Sequence, residues 1–401
     1  MNKLYKLTLL FLVYSNAVGQ TLDPAYNSDN YHFEDLAVTK SLELDGDLGF
    51  TTTFVNNALI KNDYWSDDVV LNQINSLGQT NRLGGFIHTG ITYNTGNTNG
   101  LYIGANYNTM LGVTSQKELI ELALRGNQNQ PTIDLVQKNA FEQMSYGSVS
   151  IGRVRYDSAK STQIRYGLDF YSQQQFVKVV GNQGRFETDS SGEKLTVTDA
   201  DVVVTQNLSN PFTSFGVGID FEISRLFAND CWSFSLLDLG VIRSSEMRTA
   251  TMLSNFVFDG FDVSSQVNSA GGIQIQDSFN QNFFETDTTS KIRLVPFQTC
   301  LQHVKVLGTN NSIDSRLTYI YFSGYYPLLE TTYQQQFKAK SALWRVGARL
   351  GGFGVYGVQF GTVLPFGNGH SFKLDVVGLE SMASSNLPVN WFGRFGLSIQ
   401  L

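Results

Sequence analysis

The sequence predicts an all-β fold, a closed transmembrane barrel of about 14 antiparallel strands within a range of roughly 12 to 16. Three observations lead to it: an export-type leader, many segments in which apolar and polar residues alternate, and a last segment of the same kind. Strand side chains point alternately to the two faces of a sheet, so this alternation gives each strand one apolar and one polar face. Short helices are expected in the connections.

The first residues have the composition of a secretory signal peptide. Lys3 and Lys6 precede the apolar stretch Leu7–Val13, and Ala17 and Gly19 supply the small residues of a cleavage site. The stretch is too short to span a bilayer, which needs about 20 apolar residues. The alternative is a buried N-terminal strand or helix. The expected organisation has three parts: a signal peptide at 1–19, a periplasmic N-terminal segment at 20–45 and the barrel at 46–401.

The overall composition is that of a soluble protein, with 42% hydrophobic residues and no run of about 18 apolar residues that would form a membrane helix. A barrel reconciles this composition with a membrane, because only every second strand residue faces lipid. The chain carries 28 Lys and Arg against 35 Asp and Glu, a net charge of −7, and no basic cluster. We therefore expect outer-membrane lipid, a small-molecule permeant or envelope proteins as partners, and no nucleic acid.

The last residues of the chain show the alternation most clearly. One face carries Trp391, Gly393, Phe395, Leu397, Ile399 and Leu401, and the other carries Phe392, Arg394, Gly396, Ser398 and Gln400. A final strand of this kind is typical of a bacterial outer-membrane barrel, in which it pairs with the first strand. A soluble β-sandwich shows the same alternation. Segments of ten or more residues favour the barrel, because a tilted strand needs about 9–11 residues to cross a bilayer.

The polar faces carry charged residues that we expect to line the lumen: Arg165, Asp169, Asp220, Glu222, Arg345, Arg349, Lys373, Asp375 and Arg394. At the bilayer midplane a basic side chain facing lipid would cost about 2–4 kcal/mol, so these side chains are expected to point inward. In a pore they form a constriction that selects permeants by charge and size. The alternative is that opposite charges pair across the lumen and fill it.

One segment departs from the alternation. Trp232, Phe234 and Leu236 belong to the apolar face, and strict alternation places Asp238 with them. A β-bulge adds one residue to a strand and so reverses the faces beyond it. We therefore expect a bulge or a strand end near Leu237, with Asp238 at the membrane interface or turned inward.

Two helices are predicted in the long connections. Residues 117–125 are strong helix formers followed by Gly126 and Asn127, and residues 67–77 predict a second short helix. Either these helices cap the mouth of the barrel or they lie on its rim. Residues 175–193 lack a clear alternation and are predicted to form another long loop.

The sequence predicts no catalytic, cofactor or metal site. The chain has four histidines: His32, His88, His303 and His370. None has metal-ligand spacing to another, and neither a nucleophile elbow nor a phosphate loop occurs. His88 falls on a lumen face, where a structural role suits it better than a lumenal site. Cys231 and Cys300 lie in separate predicted strands. The sequence is compatible both with a disulfide between them and with two unpaired thiols.

Two short segments resemble those of a known family. The segment Ser-Leu-Leu-Asp-Leu-Gly, which contains Asp238 and Gly240, resembles a signature of an uncharacterised family of outer-membrane β-barrels from Bacteroidota. The segment that ends in Gly126 and Asn127 resembles that family's Leu-Ala-x-x-Gly-Asn element. More distantly, the chain is similar to fatty-acid-transporter-type barrels and to accessory barrels of type IX secretion. The resemblance implies a Gram-negative outer membrane and a barrel, and it assigns no residue roles.

These observations lead to two expectations for function. The first is a porin-like channel or transporter for small molecules, suggested by the charged lumen faces and the long mouth loops. The second is a non-catalytic structural or accessory barrel of an envelope or type IX secretion complex, suggested by the resemblance and by the comparable numbers of positive and negative lumen charges. An enzyme is not expected, because the sequence pairs no nucleophile with a base.

Overall fold

The structure, a computed structural model, describes most of the expected barrel. The described residues are 40–56, 65–96, 99–125, 132–136, 139–189, 194–207, 214–227, 230–258, 284–308, 310–336, 342–366, 370–384 and 387–401. The predicted signal peptide and residues 20–39 lie outside these ranges, as do Gly126 and Asn127 of the family-like segment.

The strands of the described residues form one antiparallel sheet. The strands before the middle of the chain are β1 (Ser41–Asn56), β2 (Thr80–Asn94), β3 (Asn99–Gln116), β4 (Thr132–Leu135), β5 (Asn139–Asp157), β6 (Thr162–Thr188) and β7 (Leu195–Asn207). The later strands are β8 (Ser214–Leu226), β9 (Asp230–Met252), β10 (Phe256–Phe258), β11 (Phe284–Leu294), β12 (Gln298–Gly308), β13 (Asn311–Ile320), β14 (Tyr326–Gln336), β15 (Leu343–Gly352), β16 (Tyr356–Phe366), β17 (His370–Val377) and β18 (Pro388–Gln400). The α-helices are α1 (Asp67–Ser76), α2 (Lys117–Arg125) and α3 (Leu379–Ala383).

These strands occupy 14 positions around a closed barrel. Four positions are shared by two segments that lie in line: β4 with β5, β7 with β8, β9 with β10, and β11 with β12. The sheet closes because β1 pairs with β18 along one edge and with β2 along the other. The predicted closed antiparallel barrel and its strand number are confirmed.

The first strand begins earlier than expected. β1 starts at Ser41, five residues before residue 46, where the barrel was expected to begin. In the structure Glu43 and Asp45 alternate with Leu42 and Leu44 in a regular strand that pairs on both edges.

The outward faces of the strands are apolar and exposed, whereas the inward faces are polar and buried. On β5, Val149 and Ile151 are 52% and 47% exposed, while Ser148 and Ser150 between them are 4% and 3% exposed. This arrangement is the reverse of a soluble protein, in which the apolar face of a sheet is hidden. The large outward-facing side chains therefore surround the barrel with an apolar surface.

Helices α1 and α2 form where they were predicted and pack against each other beside β1. Ser66 caps the start of α1, where its Oγ accepts a hydrogen bond from the backbone N–H of Val69 at 3.4 Å. Val70 and Ile74 of α1 share a small apolar cluster with Ile120 of α2. None of the helices in the described ranges is long and apolar enough to cross a membrane.

The predicted long loop at 175–193 is wrong, because β6 continues through it to Thr188. Its outer part pairs with β5 up to Gly181 and with β7 up to Thr188. Backbone hydrogen bonds hold this extension, while its side chains are largely polar or partly exposed on both faces. Alternation of side chains therefore did not reveal it.

Candidate functional site in the barrel lumen

Charged side chains gather on two opposite sides of the lumen. The acidic cluster consists of Asp169 on β6, Asp220 on β8 and Asp238 on β9. The ion-pair belt lies on the strands from β13 round to β1 and consists of Asp314, Arg316, Glu330, Arg345, Arg349, Lys373, Asp375, Arg394 and Asp47. The belt and the cluster face each other because their strands are about half the circumference of the barrel apart.

A β-bulge in β9 completes the acidic cluster. The register between β8 and β9 shifts between Ile219 and Phe221, so Leu237 and Asp238 together oppose Asp220. Asp238 has a φ of 58°, in the left-handed region that Asp tolerates better than most residues. The bulge reverses the two faces of β9 at this point and turns Asp238 toward the lumen, where it lines the same cavity as Asp220.

The three carboxylates of the acidic cluster are close together and individually oriented. Their nearest oxygens all lie within 4.8 Å of one another. The backbone N–H of Asp238 donates to Oδ1 of Asp220 at 2.8 Å. The hydroxyl of Tyr146 donates to Oδ2 of Asp238, and that of Tyr171 donates to Oδ2 of Asp169, both at 3.3 Å. Hydrogen bonds thus hold one oxygen of each carboxylate in place.

The two tyrosines are themselves held by their surroundings. Their rings meet edge to face, with centroids 5.8 Å apart. Gly218 and Gly240 lie opposite each other on β8 and β9, and a Cβ atom on either would collide with the ring of Tyr171. Gly240 of the family-like segment therefore provides the space that lets Tyr171 reach the acidic cluster.

Arg165 and Glu222 extend the acidic side of the lumen. They are cross-strand partners on β6 and β8, and each is 9% exposed. The guanidinium of Arg165 lies 4.0 Å from the centroid of the Tyr102 ring, which provides a cation–π contact. This side of the lumen therefore has one arginine beside four carboxylates.

Opposite charges pair in the ion-pair belt. Nη2 of Arg316 lies 2.7 Å from Oδ2 of Asp314, and Nη1 of Arg345 lies 3.1 Å from Oδ2 of Asp375. Nη2 of Arg345 also approaches Asp314 at 3.7 Å, and Nζ of Lys373 lies 3.9 Å from Asp375. The charge pairing that the sequence left open as an alternative is therefore present on this side.

The belt continues from β13 through the later strands to the closure between β18 and β1. Glu330 on β14 is the register partner of both Arg316 on β13 and Arg349 on β15. At the closure, Nε of Arg394 on β18 lies 3.1 Å from Oδ1 of Asp47 on β1. Acidic and basic side chains thus alternate around this half of the lumen.

A cavity of ≈ 130 Å³ lies between the acidic cluster and the ion-pair belt. Its charged lining residues are Asp220, Glu222 and Asp238 on one side and Asp47, Arg316, Glu330, Arg349 and Arg394 on the other. Such a volume accommodates several water molecules or a small solute. The lumen is therefore neither an open bore nor completely filled.

A short turn closes one end of this cavity. Residues 321–325, here called the mouth turn, connect β13 and β14 at the end of the barrel that carries α1 and α2. The hydroxyl of Ser323 donates to Oε2 of Glu142 on β5, across the lumen. Gly324, with a φ of 78°, packs against the backbone of Val113 on β3. The turn therefore reaches the opposite wall.

Aromatic side chains fill the space under the mouth turn. Phe322 and Tyr325 of the turn meet Phe353 edge to face, with ring centroids 6.5 Å and 5.1 Å apart. Phe176 and Met247 from the opposite wall complete this buried apolar cluster. The cluster forms an apolar layer between the charged cavity and the mouth.

The sequence-predicted lumen residues lie on inward faces. Those that are at most 9% exposed are Arg165, Asp169, Asp220, Glu222, Arg345, Arg349, Asp375 and Arg394. The side chain of Lys373 is somewhat more accessible, at 14%. The structure brings four of the predicted residues to the acidic side and places the other five in the ion-pair belt.

Sequence reasoning missed several lumen residues. These are Asp47, Asp314, Arg316 and Glu330 of the ion-pair belt and Tyr146 and Tyr171 beside the acidic cluster. The alternation of β13, in which Asp314 and Arg316 share a face, was a signal that identifies two of them. The tyrosines gave no such signal, because aromatic residues in barrel strands are also expected at the lipid interfaces.

The histidines and cysteines within the described ranges show no shared site. His88 lies in the lumen, where its Nδ1 pairs with Oδ1 of Asn108. The thiols of Cys231 and Cys300 are both free. Cys300 lines the cavity, whereas Cys231 is 3% exposed and packs against Val304.

Comparison with known proteins gives matches in shape alone. Neither the protein-family models nor the curated proteins contain a match. Among solved structures, the chain is similar to the toluene transporter TodX of Pseudomonas putida, with 8% identity, a TM-score of 0.44 and coverage of 95% of this chain and 93% of that chain. The toluene transporter TbuX of Ralstonia pickettii is 9% identical, with a TM-score of 0.43 and coverage of 92% of this chain and 91% of that chain. A FadL homologue of Pseudomonas aeruginosa is 10% identical, with a TM-score of 0.42 and coverage of 90% of this chain and 89% of that chain. Similarity at this level assigns no function or residue role to the present chain.

Proposed function

We propose that this protein is an outer-membrane channel for small polar molecules. The observation that carries the proposal is a cavity between an acidic wall and a wall of paired opposite charges, inside a barrel whose outer surface is apolar. The apolar outer surface suits a lipid environment. A basic side chain on that surface would cost about 2–4 kcal/mol at the bilayer midplane, and the lumen provides the polar alternative.

The charges around the cavity suggest which solutes it admits. On one side, Glu222 and the acidic cluster give an excess of negative charge over Arg165. On the other side, the guanidinium groups of Arg316, Arg349 and Arg394 from the ion-pair belt line the cavity. A field across the cavity orients solutes that carry both charges, and it selects against large apolar ones. Small zwitterions are therefore the preferred class of permeant.

The mouth turn makes the channel a gated one. Ser323 and Gly324 hold the turn against the opposite wall, and Phe322 and Tyr325 seal the space below it. Solute entry requires the turn to move away, which separates the rings and breaks a hydrogen bond to Glu142. We therefore expect infrequent openings rather than a permanently open pore.

Reconstitution of the purified barrel into planar bilayers tests the proposal. Discrete conductance steps are expected, together with uptake of a small zwitterion into liposomes that exceeds uptake of an apolar solute of similar size. Protein unfolded by heat before reconstitution is the control for leakage caused by insertion alone. A barrel whose folded state is verified by gel mobility, and which neither conducts nor takes up solute, contradicts the proposal.

A second candidate function is a structural or accessory barrel of an envelope complex. It is favoured by β11, which pairs with β9 along one edge and has no strand partner on the other edge among the described residues. Its side chains between Glu285 and Lys291 are exposed. An unpaired strand edge is a surface on which another protein can add a strand. Crosslinking in native membranes tests this role, and recovery of the barrel alone counts against it.

A further inference from the structure

The acidic cluster concentrates negative charge in a buried wall. Together with Glu222 it places four carboxylates beside Arg165, whose cross-strand partner is Glu222. Charged groups in protein interiors are generally paired or coordinate a metal ion. The charge of the three clustered aspartates therefore calls for a further cation.

Two buried oxygens in this wall also lack a hydrogen-bond donor. Asp169 is 1% exposed, and its Oδ1 receives no hydrogen bond from any described residue, although its Oδ2 accepts one from Tyr171. Glu222 is more than nine-tenths buried, and its Oε2 is likewise without a donor among the described residues. Glu222 lies two residues from Asp220 on the same face of β8 and lines the same cavity. An unsatisfied buried carboxylate oxygen is costly unless a cation meets it.

The separations fit a single ion. The nearest oxygens of Asp169, Asp220 and Asp238 lie within 4.8 Å of one another. Oxygen ligands of Ca²⁺ lie about 2.3–2.6 Å from the ion, so two ligands of one Ca²⁺ are at most about 5.2 Å apart. All three carboxylates are therefore close enough to bind the same ion, and the cavity leaves space for water as further ligands.

The donor set selects the class of cation. Carboxylate oxygens are the ligands of hard cations such as Ca²⁺ and Mg²⁺, whereas Zn²⁺ sites favour nitrogen and sulfur. Tyr146, Tyr171 and the backbone N–H of Asp238 orient the carboxylates from outside, and the cavity gives an ion access to Asp220 and Asp238. We infer that the acidic cluster is a binding site for a hard divalent cation, with Ca²⁺ the expected occupant, whether or not the barrel conducts.

The tyrosines provide a direct test. Tb³⁺ replaces Ca²⁺ in oxygen sites, and nearby tyrosine sensitises its luminescence. Purified, EDTA-treated barrel in detergent is expected to bind one Tb³⁺ with sensitised emission that Ca²⁺ displaces. Replacing Asp169, Asp220 or Asp238 by Asn should weaken Ca²⁺ binding at least about tenfold, because each supplies a ligand. Tyr171→Phe should keep the stoichiometry and weaken binding by about 10–100-fold, because Tyr171 only positions Asp169.

The matched control is Asp287→Asn, which removes an exposed carboxylate from β11 and should leave Ca²⁺ binding unchanged. Titration of the unsubstituted barrel is decisive even where a variant fails to fold. If the folded protein binds neither Tb³⁺, Ca²⁺ nor Mg²⁺ at millimolar concentration, the inference is overturned and the aspartates hold protons instead. It is also overturned if the folded Asp→Asn variants bind as tightly as the original. Binding of Mg²⁺ in preference to Ca²⁺ would support the site and correct its occupant.

Discussion

Nε of Arg394 donates to Oδ1 of Asp47 at 3.1 Å, and this bond joins the last strand of the barrel to the first. Both side chains are about nine-tenths buried. Arg394→Gln should therefore destabilise the barrel by about 3–5 kcal/mol, because it leaves a buried carboxylate without its partner. Urea unfolding in detergent measures the free-energy difference.

The double variant Asp47→Asn/Arg394→Gln should recover part of this loss, because it removes the unpaired charge. Lys160→Ala is the control, since Lys160 makes an exposed contact with Asp157 at 3.9 Å, and it should change stability by less than about 0.5 kcal/mol. A single Arg394→Gln variant as stable as the original would show that water in the lumen compensates for the lost pair.

Tyr102 lies over a pair of glycines, and this leads to a prediction about packing. Gly152 and Gly167 are cross-strand partners on β5 and β6, and a Cβ atom on either would collide with the Tyr102 ring. Gly167→Ala should destabilise the barrel by about 1–3 kcal/mol, because the ring must shift away from Arg165. Gly393→Ala is a matched control with no atom within 4 Å of its new methyl group. Equal effects of the two substitutions on urea unfolding would contradict this account.

The charges on the two sides of the cavity should act on ion selectivity in opposite directions. Glu222→Gln removes a negative charge and should favour anions, whereas Arg349→Gln removes a positive charge and should favour cations. A unit charge about 4 Å from a permeating ion contributes about 1 kcal/mol even in water, which is roughly fivefold in relative permeability. Reversal potentials under a KCl gradient measure the shift. Asp287→Asn on β11 is the control and should leave the reversal potential unchanged. Reversal-potential shifts of the same sign for both lumen variants would contradict the assignment of these two charges to the permeation path.

The aromatic layer under the mouth turn should limit conductance. Phe322→Ala removes a ring that packs against Phe353, so the layer opens and the single-channel conductance or the open probability should rise severalfold. A cost of about 3–5 kcal/mol in stability is expected for loss of a buried phenylalanine. Phe366→Ala, which removes an outward-facing ring from the far end of β16, should leave conductance unchanged. Unchanged conductance of a folded Phe322→Ala barrel would place the gate elsewhere.

The two thiols should report whether solutes reach the cavity. Cys300 lines it, whereas Cys231 is buried against Val304. In the single-cysteine variants Cys231→Ser and Cys300→Ser, a small methanethiosulfonate reagent should modify Cys300 at least about tenfold faster than Cys231, because access controls the rate. Intact-mass measurements over time give both rates. Equal rates would indicate that the cavity is sealed from solvent.

Alternation along the strands was enough to predict the barrel, its faces and the inward direction of charges such as Arg165 and Asp220. It also indicated an irregularity at Asp238, because an aspartate in phase with Trp232 and Phe234 is too costly on an apolar face. In the structure a β-bulge at this point turns the Asp238 side chain from the apolar outer face to the lumen. The alternation of apolar and polar residues thus predicts the direction of side chains wherever one face of a strand meets an apolar environment.

Other features depend on contacts between residues that are distant in the sequence. Ser323 meets Glu142, 181 residues away, and no local pattern links them. Likewise, the approach of Tyr146 and Tyr171 to the acidic cluster depends on the register of β5, β6, β8 and β9 together. The alternation of residues along a strand predicts whether a side chain points into the lumen or outward. The position of that side chain along the barrel axis depends on the register between the strand and its neighbours.

The bulge at Asp238 also restricts how β9 can change in length. Before it, Ser233 and Ser235 face the lumen at odd positions, whereas after it Gly240 and Ile242 face the lumen at even positions. If one residue were lost here, the bulge would disappear and the strand would alternate without interruption. The side chains on one side of the former bulge would then turn from the lumen to the outer surface, and their neighbours from the outer surface to the lumen. Homologous chains should therefore tolerate substitutions in this strand far more readily than single-residue insertions or deletions.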